Sequence, residues 1–135
     1  MNIEQFKKEK NENAWFYSPD GDFEIFIKGN ETEPDQDSYE LVEKLMSILE
    51  ECKAKAIHLL ESFMKDEGIW HLCTASFVEA EEHKGCAFTL DFGFESNSNR
   101  HEYNYTGFLV CFSWPLSNPA PLNEPHPFKF VVEFS

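Results

Sequence analysis

Leu41, Leu45, Ile48 with Leu49, Cys52, Ala56, Leu59 with Leu60, and Phe63 recur at three- and four-residue spacing, the pattern of one apolar stripe along a helix. Asp37 or Ser38 caps the segment, and Glu40, three residues after Asp37, completes a capping box. The repeat runs to about Lys65, and Gly68 ends it. About 28 residues at 1.5 Å each make a rod of roughly 42 Å. In a chain of 135 residues such a rod must cross a whole sheet or bend.

The rest of the sequence alternates as strands do. Ala14 to Tyr17 and Asp22 to Lys28, the latter with Phe23, Ile25 and Ile27 on one face, flank the turn Ser18-Pro19-Asp20-Gly21 and predict an N-terminal hairpin. Residues 1–13 read as a polar helical turn or arm. Ile69 to Ala80 predicts a strand, and Glu81-Glu82-His83-Lys84-Gly85 its turn. Cys86, Phe88, Leu90, Phe92 and Phe94 then alternate with Ala87, Thr89, Asp91, Gly93 and Glu95. Glu102 to Trp114 predicts a long strand that is apolar on both faces. Tyr103, Tyr105, Leu109 and Cys111 lie on one face, and Phe108, Val110, Phe112 and Trp114 on the other. Residues 115–127 carry five prolines and read as a crossing loop, before Phe128, Phe130, Val132 and Phe134 alternate in a last strand.

The order ββ-α-ββββ predicts a single α+β domain spanning 1–135, with a mostly antiparallel curved sheet of about six strands packed against one long helix. Fourteen Phe, four Tyr and three Trp suit a sheet-based core. Cys52, Cys73, Cys86 and Cys111 are widely spaced in periodic segments and read as reduced packing thiols. No stretch approaches the ~18–20 apolar residues of a membrane span. The first ten residues lack the apolar core of a signal peptide, so the expected location is cytoplasmic.

Twenty-five acidic against eleven basic residues give a formal charge of −14. That sign disfavours nucleic acid, whose phosphates need clustered Lys and Arg, and disfavours an anionic membrane surface equally. It favours a basic protein partner drawn in by long-range attraction.

Several constellations were weighed for chemistry. His71-x-Cys73 and His83-x-x-Cys86 resemble ligand pairs, but a hairpin register with Cys73 opposite about Gly93 leaves Cys86 about 23 Å along the strand, at 3.3 Å per residue. The acidic turns Asp20-Gly21-Asp22 and Asp35-Gln36-Asp37 lack the spacing of a calcium loop. There is no G-x-S-x-G and no phosphate-cradling glycine loop. In the same register Glu95 lies across from His71, either an acid–base couple or an ordinary cross-strand charge pair. No cofactor, metal or catalytic residue is implied.

What remains is a surface. Glu79, Glu81, Glu82, Asp91 and Glu95 flank Tyr103, Tyr105 and Trp114, and acid around exposed aromatics is the composition of a docking patch for a basic protein. Strand parity decides whether those rings face solvent or core.

Three features carry a resemblance: the aromatic hairpin Trp15-Phe16-Tyr17-Ser18-Pro19-Asp20-Gly21-Asp22-Phe23, the single long helix, and the ending Pro127-Phe128-Lys129-Phe130-Val131-Val132-Glu133-Phe134. In these the chain resembles the small acidic immunity proteins of bacterial polymorphic toxin and contact-dependent inhibition systems. The resemblance implies a non-catalytic inhibitor that covers a cognate toxin domain, often a basic nuclease. It transfers no site residue. Two other readings stand beside it: a small enzyme or ligand-binding domain with a pocket between helix and sheet using His71 and Glu95, and an adaptor that self-associates through a strand edge or its tyrosines.

Overall fold

A computed structural model of the chain describes residues 1–79, 83–114 and 124–134. After a 3-10 turn at Ile3–Gln5 come β1 (Lys7–Lys8), β2 (Ala14–Tyr17) and β3 (Glu24–Lys28). Helix α1 (Gln36–Glu61) follows, then β4 (Gly68–Ser76), β5 (Phe88–Ser96), β6 (Thr106–Ser113) and β7 (His126–Phe134). The strands form one seven-stranded sheet in sequential order, β1 to β7. Every neighbouring pair is antiparallel except β3 and β4, which run parallel because α1 is the crossover between them.

The α+β class and the mostly antiparallel sheet agree with expectation. The strand beyond the expected six is β1. Lys7 pairs with Phe16 and Lys8 with Trp15, so the N-terminal arm is a two-residue edge strand. The preceding Phe6 is buried, its ring 5.5 Å from Tyr17 and 5.9 Å from Tyr39.

The helix starts slightly earlier and ends earlier than its apolar repeat. Asp35 is the cap, its Oδ2 accepting from the Ser38 amide and the Ser38 hydroxyl, each at 2.9 Å. The last turn closes at Ser62, and Gly68 opens β4 instead of ending α1. The buried stripe is Tyr39, Val42, Leu45, Leu49, Cys52, Ala56 and Leu60. The rod crosses the sheet as its length requires: Tyr39 meets Phe6 at the β1 flank, and Phe63, just past the other end, stacks on Phe130 of β7 with centroids 4.7 Å apart.

Alternation in β5 is complete. Phe88, Leu90, Phe92, Phe94 and Ser96 are buried under the helix, and the residues between them are half-buried on the opposite face. Ile25 and Ile27 of β3, with Phe108, Val110 and Phe112 of β6, complete the floor of that core. The core is ring-rich, with Phe88 stacked on Phe112 at 4.7 Å and Trp70 wedged among Phe92, Phe94 and Phe108. Among the described residues no helix is long and apolar enough to cross a membrane.

Candidate functional site

Among the described residues the helix covers one face of the sheet, the segment around His83 and Cys86 overlies part of the other, and the side chains that carry chemistry project from the rest of that second face. On β4 these are Ile69, His71 and Cys73, all exposed, and on β5 Asp91 and Glu95. Two glycines, Gly93 and Gly107, deepen the surface between them. A Cβ at Gly93 would lie 3.6 Å from Cys73 Sγ, and one at Gly107 3.4 Å from Asp91 Oδ1, so the neighbours lean over backbone that carries no side chain. The result is a shallow groove of about 480 Å³ lined by His71, Cys73, Asp91, Glu95, Arg100 and His101.

Glu95 is the hub of the groove. Its Oε2 lies 3.5 Å from His71 Nε2 and its Oε1 3.8 Å from Arg100 Nε. The expected contact between His71 and Glu95 is therefore present, but as a diagonal pair. Ile69 stands directly opposite Glu95, and His71 opposite Gly93. Cys73 is not opposite Gly93: at His71 the register is displaced by two residues, and past a bulge between Leu72 and Thr74, at Cys73, the displacement is one residue. The pair also lies on the face away from the helix, so an imidazole–carboxylate couple in a pocket between helix and sheet is corrected. Both side chains are open to water, where such a pair contributes little energy.

Asp91 differs from Glu95. Partial burial, with the Glu133 carboxylate on β7 adding repulsion, raises its carboxyl above the ordinary value against an opposing backbone hydrogen bond at Phe92. Burial likewise raises the Cys73 thiol, and the Asp91 charge adds to the shift. Cys111 is pushed up to about 12 by burial and by the neighbouring Cys86 thiol, and burial takes Cys52 to about 11. These three thiols stay protonated at neutral pH.

Of the other acidic positions, Glu79 is exposed beyond the end of β4 and shares a small pocket of about 190 Å³ with Asp91, His83 and Cys86. Glu81 and Glu82 lie outside the described residues. His83 folds back onto the sheet, with Nε2 3.9 Å from Glu133 Oε1 and Nδ1 buried with no hydrogen-bond partner among the described residues. No group of three or more His, Cys, Asp or Glu side chains among the described residues is placed to hold a metal ion.

The aromatic half of the expected patch needs correction. Trp114 is only 9% exposed and packs edge-on against Phe88, so it belongs to the core. Tyr103 and Tyr105 do not lie on a strand, because residues 101–105 form turns and β6 begins at Thr106. Tyr103 is half-buried on the helix side, edge-on to Phe94, with its hydroxyl donating to Asp66 Oδ2 at 2.6 Å. Tyr105 alone of the three stands in solvent, at 76% exposure. Trp114 thus lies past the opposite end of β6 from the two tyrosines, while Tyr103 also lines the groove that holds Asp91 and Glu95.

Sequence reasoning missed Arg100, Gly93, Gly107 and Glu133. Arg100 lies in a loop that gave no reason to point at Glu95, and the glycines matter only once β5 and β6 are paired. Glu133 was readable, since it alternates with Phe134 and Val132 in the last strand.

Comparison with protein-family models, curated proteins and solved structures gives no match.

Proposed function

We propose that this chain is a non-catalytic protein-binding domain, an immunity protein or inhibitor that neutralises a basic toxin domain by covering it. The observation that carries the reading is the uncovered sheet face. Asp91, Glu95 and Glu133 project from it in a molecule of formal charge −14, with Glu79 at its border. A flat, rigid face on strands holds its carboxylates in fixed positions, which suits recognition of a partner's Lys and Arg by charge complementarity. Tyr105 and Ile69, both exposed, supply apolar contact at its rim. Trp114 has no part in it.

Docking on this face would be steric and electrostatic, with no cofactor and no bond made or broken. Its test is co-expression with basic toxin domains, beginning with any that the neighbouring genes encode. The expected result is a stoichiometric complex that survives purification and suppresses the toxin's activity, weakened by the pair Asp91→Lys and Glu95→Lys. A complex unaffected by those reversals would place the interface elsewhere. Failure to suppress any such domain would remove the reading.

A further inference from the structure

The two edges of the sheet are built differently. β1 is two lysines long, a short charged edge of the kind that discourages further pairing. β7 is nine residues long and pairs only with β6, and among the described residues no strand lies along its other edge. It is also where large apolar side chains are left uncovered. Phe134 is 81% and Phe63 65% exposed, Phe128 and Val132 are exposed as well, and Tyr105 stands next to the Thr106 that pairs with Phe134. A mostly apolar groove of about 200 Å³, lined by Leu60, Phe63, Met64, Phe130, Val132 and Phe134, runs between the helix end and this strand.

Independently of the reading above, we infer that β7 is a homodimer edge. It pairs antiparallel with β7 of a second copy about a two-fold axis through Val131, joining the two sheets into one. The sequence of the strand singles out that register. A two-fold axis perpendicular to the sheet keeps like faces together, so residues of the same parity oppose each other. Centring on Val131 sets Lys129 opposite Glu133 of the other copy, twice, on the open face, where Lys129 pairs with Cys111 and Glu133 with Gly107 within each copy. On the helix face the same register sets Phe130 opposite Val132, while Phe128 is the extra residue of a bulge, since Cys111 pairs with Lys129 and Phe112 with Pro127 within each copy. Shifting the centre to Phe130 puts Glu133 opposite Pro127. Shifting it to Val132 puts Glu133 opposite Val131. Only the Val131 centre matches charge with opposite charge and ring with apolar side chain throughout.

The partner is a second copy because the edge is complementary to itself. A strand with Lys129 and Glu133 at mirror positions about Val131 meets its own charges reversed, and this pair is neutral in a molecule of charge −14. The overall charge opposes association, so the dimer is modest, with half-dimerisation at or below about 100 µM at physiological salt.

The test is sedimentation velocity at rising concentration on wild type, Lys129→Glu, Glu133→Lys and an equimolar mixture of the two variants, with circular dichroism to confirm folding. Wild type should dimerise. Each single reversal should weaken dimerisation by about tenfold or more, since it sets like charges opposite each other at two places. The mixture should form a heterodimer, because each variant then meets its opposite. A second measurement is independent of charge. In a Cys73→Ser background, Val131→Cys should oxidise to a disulfide-linked dimer, since residues directly opposite across an antiparallel pair lie within disulfide reach. A wild type that stays monomeric to about 1 mM overturns the inference. So does a dimer indifferent to both reversals, a mixture that fails to pair, a cysteine variant that does not cross-link, or a β7 that pairs only with a strand of another protein.

Discussion

Tyr103 donates its hydroxyl to Asp66 Oδ2 across 2.6 Å, tying the turn before β6 to the segment between α1 and β4. The bond joins two connections 37 residues apart and holds the Tyr103 ring against Phe94 and Phe108. It closes one end of the core, and it explains why this tyrosine is a structural group and not a free anchor on the open face.

Tyr103→Phe should therefore destabilise the fold by about 1.5–3 kcal/mol, the usual range for losing a hydrogen bond to a charged acceptor. The Asp66 bond, with burial second, pushes the Tyr103 phenol up to about 12 from 10.0. The folded value lies above the unfolded one, so this contribution is complete below pH 10 and is lost as pH rises through about 12. Ultraviolet titration of phenolate should show one late tyrosine that Tyr103→Phe removes. A late tyrosine that persists in the variant would contradict the assignment.

Asp35→Ala should cost about 1 kcal/mol by removing the cap of α1. The Ser38 amide and then the Ser38 hydroxyl, both donating to the carboxylate, hold Asp35 below its ordinary value of 3.8. A depressed value means the contribution is present above the unfolded value and fades as pH falls through the folded one. Urea melts of wild type and variant should differ at pH 7 and converge near pH 2.

Gly68→Ala should cost about 1–3 kcal/mol, the range for forcing a methyl into a filled site. A Cβ there would collide with the backbone carbonyl of Glu95 and with the Phe94 ring, and backbone yields less readily than a flexible side chain. Because the clash falls on Glu95, amide shifts in β5 should move along with the loss of thermal stability. Unchanged melting would show that the hairpin relaxes without cost.

Glu133→Gln should lower the carboxyl value of Asp91, because it removes the repulsion that adds to burial. Carbon-detected titration of the Asp91 side chain reads this directly. With its folded value raised, Asp91 works against stability at neutral pH and less so as pH falls, so Asp91→Asn should raise the melting temperature at pH 7 and make little difference near pH 3.

Periodicity made much of this architecture legible and left register obscure. The apolar stripe from Tyr39 to Leu60 and the alternation of β5 announced themselves, because burial on one face writes a period into the sequence. The pair Lys7-Lys8 is too short to carry a period, so β1 was invisible. The segment Glu102 to Tyr105 reads as strand if its two tyrosines are counted and as turn if Asn104 and the preceding Asn99 are. Turn chemistry won, with the Asn99 side chain accepting from the His101 amide. That moved Tyr103 to the helix side. The hairpin register and the one-residue bulge at Cys73 have no signature in the sequence, and the register sets His71 diagonal to Glu95 instead of directly opposite. The carboxylates of β5 were found because alternation fixes their face. Trp114 was readable as core, since it alternates with Phe108, Val110 and Phe112, all buried, and it packs inward on Phe88.

The most direct measurement is the association rate of this chain with the basic partner domain proposed for it as ionic strength rises from about 0.05 to 0.5 M, where the Debye length shrinks to a few ångströms. If the carboxylates of the open face steer docking, the rate falls by about tenfold or more for wild type, and Asp91→Lys with Glu95→Lys starts slower and falls less. A rate that stays flat across that range, or one that the two reversals leave unchanged, would contradict docking through this face.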